Sequence, residues 1–281
     1  MLIVSYNTRD LLLDAVASVL CEPEVEVVVV DNASRDGSAA AVAERFPSVR
    51  LIASPRNLGF AAGTNLAARQ ARGRHLLLLN PDAALTPGAL DRLLAVFERH
   101  PRVGAAGPAL VYGDGRAQPS AFRFPDLSQV VLDLFPVPRL MDSPLNGRLS
   151  RPGRAQCIDH PLGACMLIGR AAWDDVGPLD EGYFMYLEEV DWCRRAAARG
   201  WRTWYEPAAR AVHHAGSATR QRSDAMFEEL WRSRLRYYQR FHGPLFNRLV
   251  HAIVRLGMAA ESRRASPARR RAAAVIRNLA R

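Results

Sequence analysis

Two short stretches of the sequence hold side chains that could carry chemistry. In "LLLLNPDAAL" (76–85), four leucines break directly into Asn80-Pro81-Asp82. Hard divalent cations prefer carboxylate oxygen, so Asp82 could hold such a cation against phosphate oxygens. Pro81 would stiffen the turn that points Asp82 there, although the same letters also suit a surface turn. The second stretch, "LEEVDW" (187–192), places three acids in four positions: Glu188, Glu189 and Asp191.

The acids of the second stretch fall where we expect a helix to begin. Carboxylates are favourable at the positive end of a helix dipole, and Asp191 could pair with Arg195 one turn later. These structural roles are one interpretation of the cluster. A catalytic carboxylate is the other, and the stretch by itself leaves both open.

The elements that must position these side chains alternate along the first hundred residues. Strands are predicted at 2–6, 25–30, 49–53 and 75–79. A helix follows each strand: "NTRDLLLDAVASVL" with Asn7 as its N-cap, a helix near 37–45, the second half of "SPRNLGFAAGTNLAARQA", and a helix near 87–99. Alternating strands and helices predict a parallel sheet with right-handed crossovers.

Polar residues follow all four predicted strands. They are Asn7, then Asp31-Asn32, then Arg56-Asn57, and last Asn80-Pro81-Asp82. The carboxyl ends of parallel strands share one edge of the sheet, which is where α/β proteins bind ligands. Four such ends favour a ligand site over four independent helix caps.

The composition is that of a soluble globular protein, with 281 residues, 49% hydrophobic and 23% charged. This length holds one large α/β domain or two small ones. No apolar run reaches 18 residues, and the chain opens as a strand without the pattern of a signal peptide. The cysteines show no CxxC pair and no zinc spacing, which predicts reduced thiols in the cytoplasm: Cys21, Cys157, Cys165 and Cys193.

The basic residues are unusual in kind and in position. The net charge is +10 and all 38 basic residues are arginine, which excludes a Walker P-loop lysine, a Schiff-base lysine and a kinase-type lysine. Residues 231–281 hold 13 arginines against one acid, Glu261. The positive charge therefore belongs to the C-terminal segment.

The second half changes character twice. Residues 113–161 are rich in proline and glycine and predict an irregular loop on the acceptor side. "PLGACMLIGR" (161–170) predicts a strand followed by a helix start.

The tail stretch "PLFNRLVHAIVRLGM" (244–258) predicts an amphipathic helix too short to span a bilayer. It places Arg248, His251 and Arg255 on one side and seven apolar residues on the other: Leu245, Phe246, Leu249, Val250, Ile253, Val254 and Leu256. With the arginines that follow, such a helix suits an anionic membrane surface. The alternative is that its apolar side docks onto the catalytic domain.

Five motifs in order resemble family 2 glycosyltransferases of the rhamnosyltransferase-like branch. They are "VSYN", "VDNASRDGS", "NLGFAAGTN", "LLLLNPDA" and "GPLDEGYFMYLEEVDWCRRAAARGWRTWYEPAARAVHHAG", and together they cover roughly residues 2–218. The resemblance implies an α/β protein of GT-A fold, a Rossmann-like, mostly parallel sheet flanked by helices with a C-terminal helical extension. It implies a glycosyltransferase domain at 1–222, with a nucleotide-sugar half (1–110) and an acceptor half (111–222), before a helical tail (223–281).

The resemblance also assigns the donor site. Tyr6 and Asn7 would border the base, and Asp31, with Asn32 beside it, would contact the base. Arg56, Asn57 and Gly63 would line the nucleoside pocket. Asn80 and Asp82 occupy the place of the family's DxD-type motif. Gly59 and Gly63 have a simpler alternative role, which is to let a helix pack closely on the sheet, and "GFAAG" is not a dinucleotide fingerprint.

The remaining implied roles concern the metal and the base. A histidine, His213 or His214, would complete with Asp82 a site for Mn²⁺ or Mg²⁺. The family's Glu-Asp motif falls on Glu188 and Glu189, with Asp191 close by, and supplies the general base. Clustered acids raise one another's pKa, which suits a base near neutral pH. We favour Glu189 and keep Glu188 as the alternative.

The implied function is an inverting, metal-dependent sugar transfer in cell-envelope polysaccharide synthesis. The donor would be dTDP-rhamnose or a UDP-hexose, and the acceptor a glycan or a lipid-linked glycan. The enzyme would work in the cytoplasm, at the inner face of the membrane. A nucleotidyltransferase and an inactive sugar-nucleotide-binding or scaffold protein are the alternatives, and no motif supports nucleic-acid binding.

Overall fold

The computed structural model describes residues 1–20, 22, 24–148, 153–215, 223–264 and 266–280. Strands within these ranges are β1 Leu2–Ser5, β2 Val28–Asp31, β3 Arg50–Ala53, β4 His75–Leu79, β5 Ala83–Leu85, β6 Val103–Val111, β7 Ala117–Gln118, β8 Ala121–Phe122, β9 Gln156–Ile158, β10 His160–Pro161, β11 Cys165–Gly169 and β12 Arg202–His213. The α-helices are α1 Arg9–Leu20, α2 Ser38–Arg45, α3 Phe60–Gln70, α4 Ala89–Arg99, α5 Leu127–Leu134, α6 Arg170–Val176, α7 Glu188–Ala198, α8 Ser223–Phe241, α9 Pro244–Arg264 and α10 Pro267–Leu279. Short 3-10 helices span Pro138–Leu140 and Pro144–Asn146.

One mixed sheet forms the centre of the molecule, in the order β3-β2-β1-β4-β11-β6-β12-β5. The pairings among β3, β2, β1 and β4 are parallel, as the alternation of strands and helices predicts. Strand β11 runs antiparallel to both β4 and β6. Strand β12 pairs in parallel with β6, so strands from the first and second halves of the chain share this sheet.

Burial explains why the central strands read as unbroken apolar runs. Leu76, Leu77, Leu78 and Leu79 of β4 are all buried, since β4 lies between β1 and β11 with helices over both faces. The side chains of β1, β2 and β4 alternate between two clusters. Leu77 and Leu79 join the cluster under α1 and α4, whereas Leu76 and Leu78 join the cluster under α3 and α7.

The strand ends differ from the predictions in detail. Asp31 is the last residue of β2, paired in register with Ser5 and Ala53, and does not follow the strand. Helix α1 begins at Arg9, so Thr8 directly precedes it and the predicted cap by Asn7 is wrong. Asn7 instead has a φ of 52°, and its side-chain oxygen accepts the Arg35 N–H at 2.8 Å. The loops after β1 and β2 are therefore joined by this hydrogen bond at the edge of the sheet.

The proline-rich segment is more ordered than an irregular loop. It contains α5, which Asp126 caps by accepting the Gln129 N–H at 3.2 Å. Val130 and Leu132 of α5 are buried, and α5 packs against α9. Eight residues between prolines give a weak helix signal on their own, so the packing partner decides the conformation.

The C-terminal helices form a third hydrophobic cluster with the loop before α7. Val250, Val254 and Met258 of α9 pack in this cluster with Trp231 and Tyr237 of α8. The prediction that Leu245 to Leu256 form one membrane-facing side is therefore wrong for Val250 and Val254, which are fully buried. Phe246 and Ile253 are partly buried against the same cluster. Leu245, Leu249 and Leu256 remain exposed.

Two sequence expectations concern the environment of the chain. Cys157, Cys165 and Cys193 are free thiols, and Cys21 lies outside the described residues. Burial raises the pKa of the Cys165 thiol to about 12, so this thiol is structural. Of the described helices, none combines the length and the apolar character needed to cross a bilayer.

Candidate functional site

A cavity of about 410 Å³ opens where β1, β4 and β12 end. Its walls carry several of the residues singled out from the sequence: Tyr6, Asn32, Asn57, Asn80, Asp82, Glu188, Glu189 and His213. They come from six separate places in the chain, and they meet because the sheet aligns the strand ends along one edge, beside which α7 begins.

Asp82 and His213 form the most defined polar pair of the cavity. Asp82 follows β4 in a turn closed by the Ala83 N–H, which donates to the Asn80 carbonyl at 3.1 Å. His213 is the last residue of β12 and pairs with Ala83 across the sheet. The His213 Nε2 atom lies 3.3 Å from Asp82 Oδ1, and each side chain is only 7% exposed. The turn at Asn80-Pro81-Asp82 thus presents a carboxylate to a buried imidazole.

Gln118 fixes the imidazole from its other side. Gln118 Oε1 lies 3.0 Å from His213 Nδ1, and Gln118 itself lines the cavity. An amide oxygen only accepts, so a hydrogen bond to Gln118 Oε1 uses the proton of Nδ1 and leaves Nε2 as the ring nitrogen that faces the Asp82 carboxylate. Two acceptors 3.3 Å apart are stable only with a proton or a cation between them. The donor set of carboxylate oxygen and imidazole nitrogen suits Mn²⁺ and accepts Mg²⁺.

His214 is placed differently from its neighbour. Its backbone N–H donates to the Asp82 carbonyl at 2.9 Å, while its exposed ring lies against Gly113. His213 is therefore the better ligand candidate of the two. Within the described residues, no group of three or more His, Cys, Asp or Glu side chains could hold a metal ion.

Glu188 and Glu189 form the first turn of α7 and are both buried. A strained turn precedes them, since Tyr186 and Leu187 have φ values of 71° and 66° in the left-handed region. Such strain is held only where surrounding structure enforces it, and it recurs at functional sites. Here the turn lets Phe184, Met185 and Tyr186 line the cavity directly before the glutamates.

The two glutamates have different surroundings. Glu189 Oε1 accepts the Gly163 N–H at 3.3 Å, whereas the Oε2 atoms of both Glu188 and Glu189 have no hydrogen-bond partner among the described residues. Burial, with repulsion from Glu189 added, raises the pKa of the Glu188 carboxyl well above its ordinary value. The negative charge of Glu189 acts to raise the pKa of the His160 imidazole. Burial of the ring acts in the opposite direction and is the larger effect, so the pKa of His160 is lowered.

Asp191 lies outside the cavity lining. It is fully buried and pairs with Arg195 at 2.7 Å and with Arg240 of α8 at 3.1 Å. Tyr183 Oη donates to its second oxygen at 3.3 Å. Arg240 also pairs with Asp180, so this network ties α8 to the loop before α7. The structural interpretation of Asp191 fits these contacts.

The residues expected around the base form a hydrogen-bonded edge. Asp31 is buried, its Oδ2 accepts the Ser34 N–H at 3.0 Å, and its Oδ1 has no partner among the described residues. The Asn7 N–H donates to Ser34 Oγ at 2.9 Å. Asp31 and Asn7 lie beside the cavity and do not line it, whereas Tyr6 does.

Asn32 connects this edge to the next loop. Its Nδ2 donates to the Gly59 carbonyl at 3.0 Å, and Asn57 Oδ1 accepts the Gly59 N–H at 2.9 Å. Gly59 has a φ of 83°, and a Cβ atom there would collide with the Phe184 backbone. Close approach of the two loops therefore requires this glycine. Arg56 is exposed and lies outside the cavity lining.

Gly63 serves the packing of α3. A Cβ atom on Gly63 would lie 2.8 Å from Val4 Cγ1, so the glycine lets α3 approach β1. Gly63 does not line the cavity. The simpler alternative, close helix packing, fits this position.

Sequence reasoning missed several cavity residues. Gln118 belongs to a two-residue strand in the proline-rich segment, and nothing in its sequence neighbourhood marks it. Met226 comes from α8, beyond the predicted catalytic domain. Phe184 and Tyr186 belong to "GYFMYLEE". The two glutamates that directly follow them were the feature of the sequence that could have indicated a place in the site.

Comparison with known sequences indicates which family the chain is similar to. Residues 1–143 match the family described as Glycosyl transferase family 2. An N-acetylglucosaminyl-diphospho-decaprenol L-rhamnosyltransferase of Mycobacterium tuberculosis is 33% identical over 217 residues, which cover 72% of this chain and 70% of that protein.

Two solved structures resemble the chain in fold. The mannosyltransferase PcManGT from Pyrobaculum calidifontis, in complex with GDP-Man and Mn²⁺, has a TM-score of 0.57 at 18% identity and covers 99% of this chain and 78% of its own. GalNAc-T7 with UDP, GalNAc and Mn²⁺ has a TM-score of 0.56 at 16% identity and covers 75% of this chain and 43% of its own. The α/β fold of GT-A type, with helices after the sheet domain, is thereby confirmed.

Proposed function

Because the chain belongs to glycosyl transferase family 2, we propose that it transfers a sugar from a nucleotide-sugar donor to a lipid-linked glycan, with a divalent metal and with inversion at the anomeric carbon. The chain is a glycosyltransferase of the rhamnosyltransferase-like kind. The observation that carries the finer proposal is one cavity lined by Asp82, His213, Glu188 and Glu189. A pair suited to the leaving diphosphate and a pair suited to the acceptor hydroxyl meet there, as a direct displacement requires.

The donor would lie along the sheet edge, with its nucleoside toward Tyr6, Asn32 and Asn57. Asp31 supports this orientation, since its buried Oδ1 has no partner among the described residues and could accept a hydrogen bond from a base. dTDP-rhamnose is the first candidate donor, because the Mycobacterium tuberculosis relative is named an L-rhamnosyltransferase. A UDP-hexose is the second.

Asp82 and His213 would hold Mn²⁺ or Mg²⁺ together with the donor diphosphate. Their facing oxygen and nitrogen atoms, 3.3 Å apart, support this role. PcManGT and GalNAc-T7 were each solved with Mn²⁺, which supports the same ion here. When bound, the ion would neutralise the charge that develops on the departing nucleoside diphosphate.

Glu189 would act as the general base. The Gly163 N–H orients one of its oxygens, and the other has no partner among the described residues. Glu189 would take the proton of the acceptor hydroxyl while that oxygen attacks the anomeric carbon from the face opposite the diphosphate. The bond between the anomeric carbon and the phosphate oxygen breaks in the same step, and the nucleoside diphosphate leaves. Glu188 is the alternative base.

The acceptor would be a lipid-linked glycan of cell-envelope polysaccharide synthesis. The relative's name contains N-acetylglucosaminyl-diphospho-decaprenol, which supports an acceptor on a polyprenyl diphosphate. Such an acceptor is embedded in a bilayer, so the enzyme would work at the cytoplasmic surface of the membrane.

A nucleotide-sugar screen tests the proposal. The purified chain is heated with dTDP-rhamnose and with UDP-hexoses, each with Mn²⁺ and with a chelator. One donor near 100 times its dissociation constant should raise the melting temperature by roughly 5 °C, and only with metal. Transfer to a polyprenyl-diphosphate glycan should then invert the anomeric configuration, read by NMR. A chain that no nucleotide sugar stabilises, or a product of retained configuration, would contradict the proposal.

A further inference from the structure

The outward-facing side of α9 carries three leucines that are exposed to solvent. Leu245, Leu249 and Leu256 are 72%, 46% and 66% exposed. Spacings of four and seven residues place them along one line of the helix, which we call the leucine stripe. Arg248 and Arg255 stand beside this line and are also exposed. Because the opposite side of α9 is buried in the C-terminal cluster, the helix is held with the leucine stripe outward.

Further apolar side chains lie next to α9. Leu134 at the end of α5 packs on Gly257, where a Cβ atom would lie 2.7 Å from Leu134 Cδ2. The following residues, Phe135 and Val137, are 42% and 45% exposed. The contact places the end of α5, directly before Phe135, against α9. Exposed apolar side chains therefore occur on the segment after α5 as well as on α9.

The arginines of the C-terminal helices fall into two groups. Those of α8 pair with acids: Arg232 with Glu228, Arg234 with Asp133, and Arg236 and Arg240 with Asp180. A second group on α9 and α10 is exposed and takes part in none of the ion pairs found among the described residues: Arg248, Arg255, Arg263, Arg270, Arg271 and Arg277. The first group is held by acids of the same fold, whereas the second has no ion-pair partner among the described residues.

We propose that the leucine stripe and the arginines beside it on α9, Arg248 and Arg255, form a surface that lies on an anionic lipid bilayer. Transfer of the leucine side chains from water to an apolar medium is favourable, and the arginines beside them are stabilised by nearby anionic groups. A bilayer interface with acidic headgroups supplies both at the depth of one helix face. A nucleic acid would leave the leucines in water, and an apolar protein groove would leave the arginines without counter-charges. The inference rests on the proposed function only for the idea that the acceptor lies in the same bilayer.

Full-length variants test this surface, since a chain cut before α9 would uncover Trp231 and Tyr237. One variant carries Leu245→Gln, Leu249→Gln and Leu256→Gln. A second carries Arg248→Gln and Arg255→Gln. The matched control carries Arg92→Gln and Arg99→Gln, which removes the same charge from exposed positions on α4. Binding is measured by flotation with vesicles of phosphatidylcholine, with and without phosphatidylglycerol, at low and high salt.

The unsubstituted chain and the control should bind the anionic vesicles and lose affinity at high salt. The arginine variant should bind roughly 30-fold more weakly. The leucine variant should bind at least about tenfold more weakly, with unchanged salt dependence. Equal binding by all four chains, or binding that ignores phosphatidylglycerol, would overturn the proposal. So would dimerisation through the leucines without vesicle binding, or tighter binding of a DNA duplex than of vesicles.

A second measurement separates this surface from the catalytic proposal. All four chains are tested for stabilisation by dTDP with Mn²⁺, which should be the same because the substituted positions lie outside the cavity. A failed screen with intact vesicle binding would overturn the proposed function and leave the surface standing. Intact stabilisation by dTDP with no vesicle binding would overturn the membrane surface and leave the proposed function standing.

Discussion

His213 Nε2 lies 3.3 Å from Asp82 Oδ1, although one residue ends β12 and the other follows β4. Strand β5 makes this possible, because it follows Asp82 directly and pairs with the end of β12. The register of one short antiparallel pairing thus decides which histidine faces the carboxylate. His213 faces it, and His214 points to Gly113.

Removing the Asp82 carboxylate should abolish metal-dependent donor binding. Asp82→Ala should lose transfer and most of the stabilisation that nucleoside diphosphate gives with Mn²⁺, because a principal hard ligand is gone. Thermal shift with and without chelator measures this. Asp91→Ala, an exposed acid on α4, is the control and should behave like the parent. Full transfer by Asp82→Ala would reject the metal assignment.

Gln118 should tune metal affinity through His213. Gln118→Leu removes the oxygen that holds Nδ1–H, so the apparent dissociation constant for Mn²⁺ in the presence of dTDP should rise by about 10- to 100-fold. Titration followed by EPR of free Mn²⁺ reports it without turnover. Gln118→Glu keeps an acceptor and should keep the affinity. If Leu and Glu at this position behave alike, the bond to His213 does not orient the imidazole.

The base should be separable from donor binding. Glu189→Gln should lower kcat by about 100-fold or more and leave donor affinity near the parent value, since the amide cannot take a proton. Single-turnover transfer and donor titration measure the two quantities. The same pattern in Glu188→Gln, and not in Glu189→Gln, would move the role to Glu188. A normal kcat in both variants would make the pair structural.

Glu188 should make the stability of the chain depend on pH. Its pKa is raised well above 4.5 by burial, and Glu189 adds to the shift. Between that ordinary value and the raised one, the folded chain keeps a proton that the unfolded chain has lost, so the free energy of unfolding falls as pH rises. As the pH rises above the ordinary glutamate value of 4.5, Glu188→Gln should therefore lose less stability than the parent.

Urea unfolding at several pH values checks this expectation. Glu44→Gln changes an exposed glutamate on α2 and should follow the parent profile. A Glu188→Gln profile parallel to that of the parent would mean that Glu188 ionises as freely in the folded chain as in the unfolded one.

Asp191 should stabilise the fold and not the transition state. Asp191→Asn leaves Arg195 and Arg240 without the buried charge that both contact, which should lower the free energy of unfolding by about 3 kcal/mol. Urea unfolding measures this, and kcat of the folded fraction should stay within a few-fold of the parent. Asp174→Asn, exposed on α6, is the control. A large loss of kcat at unchanged stability would restore Asp191 as a catalytic candidate.

The sequence by itself determined the strands and most helices near the cavity. Alternation and apolar runs are local properties, so β1 to β4 and α7 could be located without the fold, and with them the strand ends and the acid cluster. Parallel order then implied that Asn32, Asn57 and Asp82 would gather at one edge. The order of the residues in the chain was enough for that conclusion.

Tertiary structure decided which polar residue meets which. Asp82 and His213, Gln118 and His213, and Asp191 and Arg240 are each distant in sequence, and no local pattern records a cross-sheet register. The acids of α7 look alike in the sequence, yet the helix turns Glu188 and Glu189 toward the cavity and Asp191 toward α8. Direction around a helix has meaning only once its neighbours are known.

The amphipathic helix shows the same limit. The apolar residues of this helix predict that one of its faces is buried, but they do not predict which part of the protein or which partner buries it. Packing of α9 against α5, α8 and α10 buries Val250, Val254 and Met258, while the leucine stripe lies on the remaining arc. The sequence supplied the apolar residues and the arginines. Only the contacts of α9 separated those that build the core from those left for a partner, because burial is a property of the assembled helices.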